Sequence, residues 1–130
     1  MLAVDFLILN RDRHGANIEV LRDGRKRSLR IAPLFDHGLS FLCTCYDEKE
    51  IEQFEIMADK PCQNFIGSRS TFENLKLIQK KGAVFQTKLI PEHKDVLFKD
   101  LDNVLSETHR EKIWHMLLAR WCEYEKLCNI

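Results

Sequence analysis

Two stretches decide the fold: Asn10-Arg11-Asp12-Arg13-His14-Gly15-Ala16-Asn17 and, further along, Pro33-Leu34-Phe35-Asp36-His37-Gly38. The apolar run Phe6-Leu7-Ile8-Leu9 precedes the first and has the length and bounds of a short strand. Between the two stretches lie Asn17-Ile18-Glu19-Val20-Leu21 and Leu29-Arg30-Ile31-Ala32, separated by Arg22-Asp23-Gly24-Arg25-Lys26-Arg27-Ser28. Asp23-Gly24 is turn chemistry, so a β-hairpin is predicted, with Arg22, Arg25, Lys26 and Arg27 keeping its tip in water. A hairpin brings the chain back to where it left. Asp12, Asn17 and Asp36 are therefore predicted to gather at one end of a small sheet.

Past residue 45 the apolar spacing changes to three and four, the period of helices buried along one face. Asp47 to Asp59 carries Ile51, Phe54 and Met57 at that spacing, and Pro61 stops it. Ser70-x-x-Glu73 is a capping box that opens a helix over 71–81, closed by Gly82. Pro91 opens another helix, with Leu97, Leu101, Val104 and Leu105 on one side. Thr108-x-x-Glu111 opens the longest, in which Ile113, Leu117, Trp121 and Tyr124 form a stripe that Trp114 and Leu118 widen. The expected architecture is α+β and mostly α: one domain over 1–130, with the loop and hairpin of 1–45 packed on a helical bundle formed by 46–130.

Composition narrows the function classes. The 130 residues are 45% hydrophobic and 31% charged, the balance of one globular domain with an ordinary apolar core. Twenty basic residues against twenty acidic ones leave no net charge to attract nucleic acid or an anionic membrane. No stretch approaches the ~20 apolar residues of a spanning helix, and Asp5 interrupts the apolar start, so a cytoplasmic protein is expected. Five cysteines in no paired spacing fit reduced thiols. Cys43, Cys45 and Cys62 lack a fourth partner that would complete a zinc site.

The set Asp12, Asn17 and Asp36 suits phosphoryl transfer, which needs a carboxylate to accept the proton of an attacking hydroxyl and oxygen ligands to hold Mg²⁺ on nucleotide phosphates. Asp12 would be the base, and Asn17 and Asp36 the ligands. Asp12 and Asn17 are five apart, the interval of the Asp and Asn in the protein-kinase catalytic loop H-R-D-x-x-x-x-N. Asp36-His37-Gly38 then falls where a kinase has D-F-G, with Gly38 free to take the angles the turn requires. Asp12 and Arg13 as a local ion pair, and Asn17 as a turn cap, are the plainer readings of the same residues. His37 is assigned no role, and His93, His109 and His115 are expected at helix surfaces or caps.

The pattern N-x-D-x-H-x-x-N at Asn10, Asp12, His14 and Asn17, followed by P-L-F-D-x-G-x-S at Pro33 to Ser40, resembles the C-terminal catalytic lobe of HipA-like serine/threonine kinases. Its D-R-H-x-x-N core is also similar to the catalytic loop of the phosphatidylinositol-kinase-like superfamily. The likeness covers about residues 4 to 42. It implies a kinase C-lobe fold, ATP and Mg²⁺ as cofactors, a protein Ser or Thr as substrate, Asp12 as catalytic base, and Asn17 and Asp36 as metal ligands. Asn10 and His14 would support the loop, and Asp5 is expected to hydrogen-bond it from the preceding segment. Many proteins of this kind are toxins held by a DNA-binding antitoxin, which is the partner the likeness implies.

No Gly-rich loop or strand Lys precedes Asp12, so the lobe is expected to be incomplete without an N-lobe and inactive as an isolated chain. An uncovered apolar surface would follow, giving self-association or a partner chain. A degenerate lobe acting as a binding module and a metal-dependent hydrolase or nuclease are the competing functions.

Overall fold

The computed structural model describes residues 1–82, 85 and 87–129, and it is a mostly helical α+β fold. The chain begins with helix α1 (Leu2–Leu7), where the sequence predicts a strand over Phe6 to Leu9. A four-residue apolar run cannot separate the two by periodicity. Here Ala3, Phe6 and Leu7, spaced by three and four, pack into one cluster with Leu75, Trp121 and Tyr124. The helix ends as Leu9 turns into the left-handed region (φ 52°) and Asn10 N–H donates to the Asp5 carbonyl at 2.8 Å.

Strand β1 (Asp12–Arg13) follows, then a 3₁₀ turn at Gly15–Asn17 and the antiparallel hairpin β2 (Val20–Asp23) and β3 (Ser28–Ile31). The hairpin register pairs Val20 with Ile31 and Asp23 with Ser28. At its tip the Asp23 carboxylate accepts from Arg25 N–H (2.9 Å) and Lys26 N–H (3.1 Å), and Arg27, not Gly24, takes the left-handed conformation. Every residue of both strands is exposed.

The predicted helix from Asp47 to Asp59 is cut short. Helix α2 (Glu48–Gln53) is capped by the Asp47 carboxylate, which accepts from Glu50 N–H at 2.8 Å, and it stops when Phe54 turns extended. Beyond it the chain is held from far along the sequence: Arg120 is wholly buried and donates to the carbonyls of Ile56 (2.9 Å), Ala58 (2.9 Å) and Phe6 (3.0 Å). Burial pushes its pKa down to about 10, partly offset by Asp59, which leaves it charged at neutral pH. The segment runs on to β4 (Gln63–Asn64), which pairs in parallel with β1 through Gln63 N–H to the Arg11 carbonyl (2.8 Å) and Phe65 N–H to the Arg13 carbonyl (2.9 Å).

Helix α3 (Thr71–Lys81) has its predicted bounds, with Ser70 accepting from Glu73 N–H (3.1 Å) and Gly82 closing it at φ 62°. Helix α4 (His93–Leu97) is shorter than predicted: the chain goes into turns, Asp100 adopts φ 62°, and Val104 is exposed. Helix α5 (Glu107–Cys128) starts just ahead of the predicted Thr108 cap, because Ser106 accepts from His109 N–H at 3.2 Å.

Two apolar clusters line α5. Ile113, Trp114, Met116 and Leu117 meet Leu9, Leu42, Ile51 and Phe54, while Trp121 and Tyr124 meet Phe6 and Leu75. Both clusters draw on residues either side of position 45. Among the described residues no helix is long and apolar enough to cross a membrane.

Replacing Arg120 by Met strips donors from three carbonyls in the protein interior, each worth about 1–3 kcal/mol when left unmet. The expected loss is about 3 kcal/mol or more in urea unfolding, and an unchanged midpoint would refute the role given to Arg120. Gly67 has φ 95°, and a Cβ there would run into Asn74 Oδ1, which accepts Ser68 N–H at 2.7 Å. Gly67→Ala should cost about 2 kcal/mol in the same measurement.

Candidate functional site

The site is built around a charge that helix α1 buries. Asp5 is 2% exposed, and its carboxylate accepts from Asn10 Nδ2 (3.1 Å), Arg13 Nη2 (2.8 Å) and Arg13 Nε (3.2 Å). Asp5, expected from the sequence to hydrogen-bond the loop, does so through Asn10 and Arg13. Arg13 pairs with Asp5 and not with its neighbour Asp12, because β1 turns alternate side chains to opposite sides. Asn10 is fully buried and works in both directions, donating to Asp5 and accepting from Asp12 N–H at 3.1 Å.

All five N–H groups of the Arg13 guanidinium are used. Besides Asp5, Nη1 donates to the carbonyls of Asn17 (3.2 Å) and Phe35 (2.7 Å), and Nη2 lies 3.1 Å from His37 Nδ1. An arginine has no acceptor, so His37 Nδ1 accepts and a neutral ring carries its proton on Nε2. The role given to Arg13 and His37 is what the sequence reading missed. The signal for it was a lone aspartate inside an apolar run that proves helical.

Asp12 is half-buried. Its Oδ1 is buried without a hydrogen-bond partner, and the nearest group is His14 Nε2 at 3.6 Å, too far for a hydrogen bond. His14 caps the 3₁₀ turn by accepting Ala16 N–H on Nδ1 at 3.1 Å, which puts the proton of its neutral ring on Nε2, facing Asp12. His14 thus supports the loop. Asn17 is buried and donates from Nδ2 to the Asp12 carbonyl at 2.9 Å, and its Oδ1 enters no hydrogen bond among the described residues.

The second stretch runs beside the first. Arg11 N–H donates to the Leu39 carbonyl (3.0 Å) and Phe41 N–H to the Ile8 carbonyl (2.7 Å). Asp36 is exposed on it, and Asp36, not Gly38, holds the left-handed backbone at φ 52°. An aspartate tolerates that conformation better than most residues. Asn17 bonds the Asp12 carbonyl, and Arg13 Nη1 bonds the carbonyls of both Asn17 and Phe35, which sets the backbone at Asp36 near the other two; among the described residues no side-chain hydrogen bond links the Asp36 carboxylate to them.

Among the described residues no three His, Cys, Asp or Glu side chains converge as a metal cage. One carboxylate and one amide oxygen, those of Asp36 and Asn17, are a different donor set, of the kind Mg²⁺ accepts when substrate phosphates and water complete its shell. The Asn17 Oδ1, in no hydrogen bond among the described residues, fits that need. Cys62 turns its thiol to the Arg69 carbonyl at 3.0 Å, and burial, then Asp59, pushes its pKa up. Cys45 faces the Glu50 carbonyl instead. His93 accepts from Ile90 N–H at 3.3 Å, a capping role of the kind expected.

Compared with protein-family models, curated proteins and solved structures, the chain finds no match.

Removing the charge of Asp5 while keeping its shape leaves Arg13 as a buried unpaired cation. Asp5→Asn should destabilise the fold by about 3–5 kcal/mol in chemical denaturation. A loss under about 1 kcal/mol would mean that water reaches the pair.

Proposed function

We propose that this chain is the catalytic C-lobe of a HipA-like, ATP- and Mg²⁺-dependent serine/threonine protein kinase, acting in the cytoplasm together with an N-lobe. The observation that carries the reading is Asp12 Oδ1: among the described residues this buried carboxylate oxygen has no hydrogen-bond donor. A buried acceptor left open costs free energy unless an incoming group meets it. The hydroxyl of a substrate Ser or Thr would supply that hydrogen bond.

In this mechanism Asp12 accepts the hydroxyl hydrogen and orients the oxygen for in-line attack on the γ-phosphate of ATP. His14 Nε2 lies 3.6 Å from the same carboxylate and takes no part in moving the proton. Asn17 Oδ1 and the Asp36 carboxylate would hold Mg²⁺, which neutralises charge on the phosphates. Asn10 and Asp5 keep the loop in shape from beneath. A DNA-binding antitoxin as inhibitor belongs to the same reading.

A second reading, a binding module without catalysis, has its own support. Val20 (60% exposed), Leu29 (70%) and Ile31 (51%) lie on one face of the hairpin, since Val20 is opposite Ile31 and Arg22 opposite Leu29. A two-stranded ribbon exposed on both faces is marginal in water and gains from a cover, such as an N-lobe, another copy or a partner protein.

Calorimetric titration of Mg²⁺·ATP into the chain separates the readings. Asp36→Asn should weaken binding at least tenfold, and EDTA should abolish it. Asp12→Asn should leave binding intact while lowering phosphoryl transfer by the complete enzyme about 10²-fold or more. Nucleotide binding indifferent to Asp36→Asn and to EDTA would remove the kinase assignment.

A further inference from the structure

One guanidinium reaches the backbone surroundings of two of the residues assigned to the chemistry, Asn17 and Asp36, and belongs to the residue that follows the third. Arg13 follows Asp12 in the chain, its Nη1 bonds the carbonyl of Asn17 itself, and it reaches both neighbours of Asp36: the Phe35 carbonyl at 2.7 Å and His37 Nδ1 at 3.1 Å. Asp36 between them has φ 52°, a conformation that costs a non-glycine residue free energy and persists only where its surroundings enforce it. The enforcing contacts on both sides come from the same side chain. That side chain is in turn immobilised by Asp5, and it is fully buried.

We propose that Arg13 is a positioning residue for Asp36, with His37 as its required acceptor: the Phe35–Arg13–His37 clamp holds the left-handed Asp36 so that its carboxylate can ligate the divalent cation beside Asn17. The proposal rests on the phosphotransferase reading above and gives a function to His37, which otherwise has none. It also accounts for an arginine between Asp12 and His14: a lysine has three donors and no planar fork, and it cannot meet Asp5, two carbonyls and an imidazole together.

The test uses His37, since it is exposed and its replacement leaves the Asp5–Arg13 pair intact. His37→Ala removes the acceptor. His37→Asn restores one, because Asn Oδ1 occupies the same branch position on Cγ as imidazole Nδ1. The probe is Mn²⁺ alone, titrated into the full chain and followed by the electron-spin signal of the free ion, with amide hydrogen exchange of residues 36–38 measured in parallel. The expected result is Mn²⁺ binding by the unmodified chain, weakened tenfold or more by His37→Ala with faster exchange at 36–38. His37→Asn should recover both to within about threefold.

Equal Mn²⁺ affinity in His37→Ala and the unmodified chain overturns the clamp and leaves the kinase reading standing. Failure of His37→Asn to rescue overturns the acceptor role. Mn²⁺ binding that is absent from the unmodified chain, or indifferent to Asp36→Asn, overturns the metal site itself and with it the purpose of the clamp.

Discussion

The buried Asp5–Arg13 ion pair is the constraint on which this small fold depends. Two charges withdrawn from water cost several kcal/mol each, and a low-dielectric contact offsets that only when every remaining donor is met. Here it is met: the guanidinium spends its five N–H groups on one carboxylate, two carbonyls and one imidazole nitrogen. The pair thereby ties helix α1, strand β1, the 3₁₀ turn and the stretch after the hairpin to one point. None of these is long enough to be stable alone, because a two-residue strand or a six-residue helix leaves most of its backbone groups to be satisfied by others.

Arg120 repeats the device at the other side of α1. It bonds Phe6, Ile56 and Ala58 through their carbonyls and rests 5.1 Å from the Phe6 ring, so helix α5 reaches through it to order a segment with no regular structure. Both arginines exploit a planar fork that meets several carbonyls at fixed angles. Irregular backbone is thus held as firmly as a helix would be.

The polar inventory of the loop separates scaffold from chemistry. Asp5, Asn10 and Arg13 are saturated with partners inside the protein. Among the described residues, Asp12 Oδ1 and Asn17 Oδ1 are left without a hydrogen bond, as are Ser40 Oγ and Asn64 Oδ1 outside the loop. The hairpin adds an exposed surface, with Val20, Leu29 and Ile31 on one face and basic residues at its tip.

Local signals in the sequence determined a good part of this. The Ser70 N-cap, the left-handed Gly82, the α5 stripe and the Asp23-Gly24 hairpin depend on neighbours within a few positions, and each is found where the pattern placed it, although the Glu73 side chain pairs with Lys76 and leaves the Ser70 N–H to Ser68 Oγ. The order and spacing of Asp12, Asn17 and Asp36 were legible for the same reason. What only the tertiary structure decided involves partners distant in the chain. Leu2 to Leu7 became helical because α3 and α5 supply an apolar surface for a helical stripe, and the segment after α2 is held by Arg120, some sixty positions away. Asp36, not Gly38, took the strained conformation because Arg13 holds both of its neighbours. A buried guanidinium can satisfy whichever carbonyls the folded chain brings to it, and no local pattern of residues records which ones those will be.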